Sequence, residues 1–416
     1  MWKLTKVAAV AAALAAAVAA HAGEVEVLHY WTSGGEAKSA AELKKMMQAK
    51  GHTWRDFAVA GGGGDSAMTV LKSRVISGNP PSAAQVKGPA IQEWASEGVL
   101  GNMDALAKSE KWDEALPKVV ADVMKYKGNY VAAPVNVHRV NWIWASSDAL
   151  KKAGVAAMPK TWDEFFAAAD KLKAAGLIPV AHGGQNWQDF TTFESVVLGV
   201  GGPKFYQDAL VKLDDKALTS DTMKKSLETF RRIKTYTDPG APGRDWNLAT
   251  AMLIQGKAGF QLMGDWPKGE FIAAGKAPGK DFMCAAAPGT ANAFTFNVDS
   301  FILFKLKDAA AQKAQSDLAS AIMSPGFQEV FNLNKGSIPV RAGQSMDKFD
   351  DCAKASAKDF ADTAKSGGLV PSVAHGMAIA PATEGAIKDA VSQFWNDDKV
   401  SVADAMKKIA TAAKTK

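Results

Sequence analysis

From residue 24 onward, hydrophobic positions recur with two alternating periods. Glu24-Val25-Glu26-Val27-Leu28-His29 alternates polar and apolar residues with period two, the mark of a half-buried strand. Ala40, Leu43, Met46 and Met47 then follow at helical spacing, with Gly51 as a stop. The pattern predicts a second strand over 53–59, a glycine run at 61–64, and a helix from Asp65 to about Ser77. Ala83-Ala84-Gln85-Val86 and the helix beginning at Pro89 repeat the theme. Strands that alternate with helices in this way predict an α/β fold with a mostly parallel sheet. Ligands of such sheets sit in loops beyond the carboxyl ends of strands. Tyr30, Trp31, Gln85 and Lys87 fall in such loops.

Beyond these units the chain changes character. Segments 128–135 and 140–144 read as strands flanking a connection, as expected of a chain crossing from one lobe to another. Thr161 and Glu164 form a capping-box signature, and Phe165, Ala168, Ala169 and Leu172 then line one helical face up to Gly176. Strand-like runs recur at 178–181, 258–263 and 300–304; helical runs recur at 222–236, 309–323 and 400–413.

The opening segment follows another logic. Lys3 and Lys6 precede an uncharged, alanine-rich run, and Ala20-His21-Ala22 has the small-x-small pattern that signal peptidase cleaves after. The run is shorter than the ~20 residues needed to span a bilayer. Residues 1–22 are therefore expected to be a signal peptide, cleaved near Ala22, that exports the chain to the periplasm. The formal net charge of +6 comes from Lys and Arg dispersed among 43 acidic residues. With no basic run interleaved with aromatics, it reads as a solvated surface and not as a nucleic-acid interface. Cys284 and Cys352 suit one disulfide in an exported protein, or two buried thiols. The histidines are too scattered to predict a zinc site, and no motif calls for a cofactor. Gly61–Gly64 lacks the lysine and spacing of a phosphate loop, so it reads as backbone that approaches a cleft. Tryptophan is the unusual count, 12 against 5 tyrosines. Trp142, Trp144 and Trp162 suit the core, and Trp187 suits either the core or the rim of a cleft.

Several ordered segments carry a family resemblance. They are Leu28-His29-Tyr30-Trp31-Thr32-Ser33-Gly34-Gly35-Glu36, Pro159-Lys160-Thr161-Trp162-Asp163-Glu164-Phe165, and Gly184-Gln185-Asn186-Trp187-Gln188. Further on come the segment from Gly256 to Trp266 and Lys335-Gly336-Ser337-Ile338-Pro339-Val340-Arg341. Together they resemble the periplasmic sugar-binding proteins of ABC importers, and within them the glucose-binding proteins of pseudomonad and Thermus type. The resemblance implies a periplasmic-binding-protein-like fold with two α/β lobes, a hinge and an interlobe ligand cleft. It places one lobe at 24–134 plus 297–342 and the other at 135–296 plus 343–416. It implies a monomeric, non-enzymatic receptor that binds a monosaccharide, glucose foremost, and delivers it to an inner-membrane permease. Galactose, mannose, an oligosaccharide or a chemosensory role are its alternatives.

A sugar presents hydroxyls at its edge and C–H patches on its faces, so its site needs flat aromatic walls with charged or amide partners. Hydrogen bonds to charged groups contribute roughly 1.5–3 kcal/mol, against about 1 for neutral ones. By resemblance, Tyr30 and Trp31 supply an aromatic pair, with Tyr30 standing where the glucose-binding proteins carry a first tryptophan. Glu36, Gln85 and Lys87 are polar partners, Trp246 and Trp266 are walls from the second lobe, and Asp299, Lys335 and His375 complete the set. Taken alone, Trp31 and Trp266 also suit core packing, Lys87, Asp299 and Lys335 a surface, and His375 a structural histidine. A glycoside hydrolase using Glu36, Asp265 or Asp299 is the enzymatic alternative.

Overall fold

The computed structural model describes residues 22–415, so nearly all of the signal segment expected at 1–22 lies outside the described residues. The first sheet has five strands in the order Thr53–Ala58, Glu24–His29, Ala83–Gln85, Ser300–Leu303, Ala132–Pro134. Its first three strands are parallel, as the alternating pattern requires, with Gly34–Ala49 and Asp65–Ile76 as the connecting helices. The expectation of a mostly parallel sheet fails beyond them. Ser300–Leu303 runs antiparallel to both neighbours. It enters the sheet from the far lobe and not from a crossover helix. The second sheet, in the order Phe282–Ala286, Trp142–Ser146, Ala258–Leu262, Ile178–Val180, has a single parallel pairing.

Between them lies a three-stranded sheet, Leu369–Pro371, Phe294–Asn297 and His138–Arg139. The chain leaves the first sheet at Pro134, passes through His138–Arg139, and enters the second at Trp142. It returns through Phe294–Asn297 to Ser300. Polar side chains brace this joint. The Asn141 amide donates to Thr290 Oγ1 at 2.9 Å, and its oxygen accepts from the Thr295 N–H at 2.9 Å. Arg139 is fully buried, which pushes its guanidinium pKa down. Asp359 at 2.6 Å and the faces of Trp142 and Phe294 compensate it.

Buried apolar residues gather on either side of the joint. One cluster draws on Val25, Leu43, Trp112, Phe301 and Phe331, a second on Ile143, Phe165, Phe193, Phe230 and Ile409, and a third on Val140, Trp144, Trp246, Phe271 and Phe282. Trp142 and Trp144 are buried, the latter with its indole N–H donated to the Gly264 carbonyl at 2.7 Å. Trp162 packs on Phe165 and Phe166 at the start of its capped helix. That cap is the one expected: Thr161 Oγ1 accepts from the Glu164 N–H at 3.2 Å. Cys284, on a strand of the second sheet, forms a disulfide with Cys352, at the start of the helix Asp351–Ser366.

Candidate functional site

A small chamber lies where the joint meets both sheets. Tyr30 and Trp31 reach it from the loop after the first strand, and Lys87 from the loop after Ala83–Gln85. Glu36 comes from the first turn of the helix Gly34–Ala49, and Lys335 from the last turn of Pro325–Lys335. Asp299 sits in the turn between two strands, and Trp246, Trp266 and His375 close the opposite wall. Nine of the ten sequence-predicted residues thus line one chamber. Gln85 does not. It lies behind Asp299, donating to Asp299 Oδ1 at 3.2 Å and accepting from the Tyr30 N–H at 3.3 Å, and it lines a larger neighbouring cavity.

Sequence reasoning did not select His138, Asn297, Gly62 and Gly63 for the wall, and left Trp187 open. Only the glycine run carried a signal. A Cβ on Gly62 would stand 2.8 Å from the Trp187 ring, and one on Gly64, whose φ is +93°, 2.7 Å from Tyr30. The backbone approaches the aromatics too closely for any side chain.

The aromatic rings are held edge to face. Trp266 meets His138 and His375 with ring centroids 5.3 and 4.9 Å apart, and Trp187 meets His375 at 5.8 Å. Trp31 is braced edge to face by Phe301 at 5.5 Å and by a tilted Phe331 at 5.0 Å. Edge-to-face contacts fix a ring while leaving a face available for C–H groups.

The polar groups are buried and balanced. Lys335 donates to Glu36 Oε1 at 2.8 Å and is 3 % exposed. Asp299, also 3 % exposed, accepts from His138 Nε2 at 3.0 Å and from Asn136 Nδ2 at 3.1 Å. Burial would raise the Asp299 pKa, but His138, Lys87 and Lys335 outweigh it and hold the carboxyl well below its usual range. Lys87 is pushed down by burial, partly offset by Asp299, and its ammonium lies 5.7 Å from the centre of the Tyr30 ring. Two carboxylates, Glu36 and Asp299, therefore face two ammonium groups, Lys87 and Lys335. Such a wall offers charge-assisted donors and acceptors of both signs, which suits a neutral polyhydroxylated ligand.

Two acceptors point the same way. Asn297 Oδ1 is buried without a hydrogen-bond partner. Burying an unmatched acceptor costs roughly 1–3 kcal/mol, which a ligand hydroxyl would recover. His375 is driven well below its usual pKa by burial and by Lys87, so it is neutral. The Thr191 hydroxyl donates to the Trp187 carbonyl at 2.8 Å and so must accept from His375 Nε2 at 3.0 Å. His375 Nδ1 is then an acceptor. The loop carrying it is anchored on buried Glu194, which accepts from Ser372 Oγ at 2.6 Å, Tyr206 Oη at 2.8 Å, and the Val373 and Ala374 N–H groups at 2.9 and 3.1 Å.

Comparison with known proteins accords with this architecture. Residues 31–320 match the family model of the bacterial extracellular solute-binding proteins. A protein of Brucella suis biovar 1 (strain 1330) described as a probable sugar-binding periplasmic protein is 48 % identical over 420 residues, 99 % of each chain. One of Rhizobium meliloti (strain 1021) with the same description is 49 % identical over 399 residues, 96 % of each. Among solved structures, a chitin oligosaccharide binding protein superposes with a TM-score of 0.80 at 18 % identity, over 94 % of this chain and 98 % of that one, a likeness of fold. An ordered match across most of the chain, on a two-lobed frame with an aromatic chamber at its joint, leaves one conclusion: this chain belongs to the bacterial extracellular solute-binding protein family.

Proposed function

We propose that the protein is the periplasmic sugar receptor of an ABC importer, binding a monosaccharide, glucose foremost, and handing it to the membrane permease as a monomer. One observation carries the reading: tryptophan faces and buried hydroxyl partners of both signs of charge converge on a single chamber at the joint between the sheets. In this reading Trp31, Trp187, Trp246 and Trp266 meet the sugar's C–H faces. Glu36, Asp299, Asn297 and His375 accept its hydroxyl protons, and Lys87 and Lys335 donate to its oxygens. Gln85 holds Asp299 and Tyr30 in place from behind.

The chamber's volume, about 40 Å³, is well below the roughly 150 Å³ of a cavity that takes up benzene. A hexose therefore enters only when the walls part. We take the lobes as 24–134 plus 297–342 and 135–296 plus 343–416, moving about the strands His138–Arg139 and Phe294–Asn297. A glycosidase fits poorly, because such enzymes keep one carboxyl protonated at neutral pH. Asp299 is held in the opposite sense, Glu36 is paired with Lys335, and both Asp265 oxygens are engaged by His138 and the Arg139 N–H.

Titration calorimetry of the mature protein with glucose, galactose, mannose, maltose and longer maltodextrins tests the reading. Micromolar or tighter binding of glucose, with a change in tryptophan fluorescence, is expected. Heat only from the longer sugars would overturn the monosaccharide assignment, and sugar turnover would overturn the receptor reading.

A further inference from the structure

His138 has no place in the sugar contacts assigned above, yet it lies in the three-stranded sheet through which the chain passes from the first sheet to the second. It lies on a strand of the joint, directly opposite Asn297, and is 1 % exposed. Nδ1 bonds Asp265, just beyond the strand Ala258–Leu262 of the second sheet. Nε2 lies 3.0 Å from Asp299 Oδ2, at the entry to the first sheet. One imidazole therefore ties a carboxylate on each side of the hinge, and its edge packs on Trp266.

The hydrogen-bond inventory decides its protonation. Asp265 and Asp299 are acceptors at opposite nitrogens, and a neutral imidazole has one N–H. Either neutral tautomer would aim a lone pair at a buried carboxylate. Asn136 Nδ2 also approaches Nε2, at 2.9 Å, but its two hydrogens have other acceptors. Asn136 Oδ1 accepts from the Asp299 N–H, which sets the amide's orientation. Its nitrogen then donates to Asp299 Oδ2 at 3.1 Å and to Ser337 Oγ at 3.2 Å, the latter donating onward to Asn332. Nε2 is free to donate. Burial disfavours the imidazolium, and Asp265 and Asp299 outweigh it, so the histidine's pKa is raised. The other charged or titratable groups around it are Tyr30, Glu36, Lys87, Lys335 and His375 in the chamber wall and Arg139 beside it on the same strand.

We propose that His138, as an imidazolium clamped between Asp265 and Asp299, is a positioning residue that locks the hinge in the closed arrangement and makes sugar retention depend on pH. Its charge holds Asp299 in the orientation that receives a hydroxyl. Losing the proton leaves two buried carboxylates in mutual repulsion across the hinge, which favours opening and release. Affinity is therefore full at acidic and neutral pH and declines as the pH rises through the His138 pKa.

The proposal rests on the sugar-receptor reading, and the test separates the two. Glucose affinity of the full mature protein is measured by calorimetry from about pH 5 to about pH 10, alongside NMR titration of the histidine rings, with His138 assigned by its loss in H138N. Wild type should weaken about tenfold or more on the alkaline side, with a midpoint matching the His138 titration. H138N should be weak throughout and lose that dependence. Asp265→Asn removes one of the two carboxylates without touching the chamber wall, so it should shift both midpoints to lower pH; it also serves if H138N does not fold. Flat wild-type affinity while His138 titrates, or a slope that survives in H138N and thereby belongs to Lys87, overturns the proposal alone. Absence of sugar binding at every pH overturns the receptor reading and the proposal with it.

Discussion

Replacing Asp299 by asparagine keeps the side chain's shape and removes its charge. In the native protein three side-chain donors converge on the carboxylate, from Gln85, Asn136 and His138, at 3.2, 3.1 and 3.0 Å. An asparagine must turn its NH2 toward one of these sides. Facing Gln85 it meets another donor, and Gln85 is held from turning by its bond to the Tyr30 N–H. One buried donor is then left unmatched, a loss of about 1–3 kcal/mol in stability. The bond to a sugar hydroxyl falls from charge-assisted to neutral, a difference of about 1–2 kcal/mol, which is roughly a 5- to 30-fold weaker Kd. Calorimetry with glucose and urea denaturation followed by circular dichroism measure the two losses separately. The sign with pH is also determined. Because the folded-state pKa is depressed, the stability Asp299 contributes is present above its ordinary value of 3.8 and is lost as the pH falls through the lower, folded value. The gap in stability between wild type and D299N should therefore narrow in strong acid. Loss of stability with unchanged affinity would refute the assignment of Asp299 as a sugar contact.

Trp266→Ala should weaken sugar binding at least about tenfold while costing less than the ~3–5 kcal/mol typical of a core aromatic, since one side of the ring borders the chamber. Calorimetry and thermal melting check the pair, and a folding defect with full affinity would return Trp266 to the core. Reducing the Cys284–Cys352 bridge, which spans 68 residues, should lower stability by up to about 4 kcal/mol through regained loop entropy. Urea midpoints with and without dithiothreitol, with the double serine variant as control, measure it. Burial pushes Glu194 up to about 7 against the hydrogen bonds that hold it down. With a raised folded pKa, its contribution is present below the ordinary value and lost as the pH climbs through about 7. Wild type should therefore lose stability relative to Glu194→Gln between about pH 5 and pH 8, by at most about 3 kcal/mol, read from denaturation at each pH. An unchanged difference would mean that the carboxylate is ionised throughout.

Features built from neighbouring residues were legible in the sequence. The alternation at Glu24–His29, the Thr161–Glu164 cap and the loops carrying Tyr30, Trp31 and Lys87 follow from local periodicity and capping chemistry, which a window of a few residues contains. The remaining wall residues matching the structure were named by family resemblance, and not by any physical signal in Lys335 or His375 themselves. His138 read as one scattered histidine among several, and Asn297 drew no reading at all. Their significance comes from partners far along the chain, Asp265 and Asp299 for one and the chamber for the other. The direction of Ser300–Leu303 escaped for the same reason, because a strand's pairing depends on which lobe the chain is arriving from. The sequence by itself determined the opening strand–helix units, the capped helix after Thr161 and the residue types a sugar requires. Tertiary structure alone decided which charges cancel, that Gln85 supports the site from behind, and that one imidazole sits between two carboxylates at the hinge. Periodicity is a property of adjacent residues, whereas burial and electrostatic balance exist only once distant segments share a volume that excludes water.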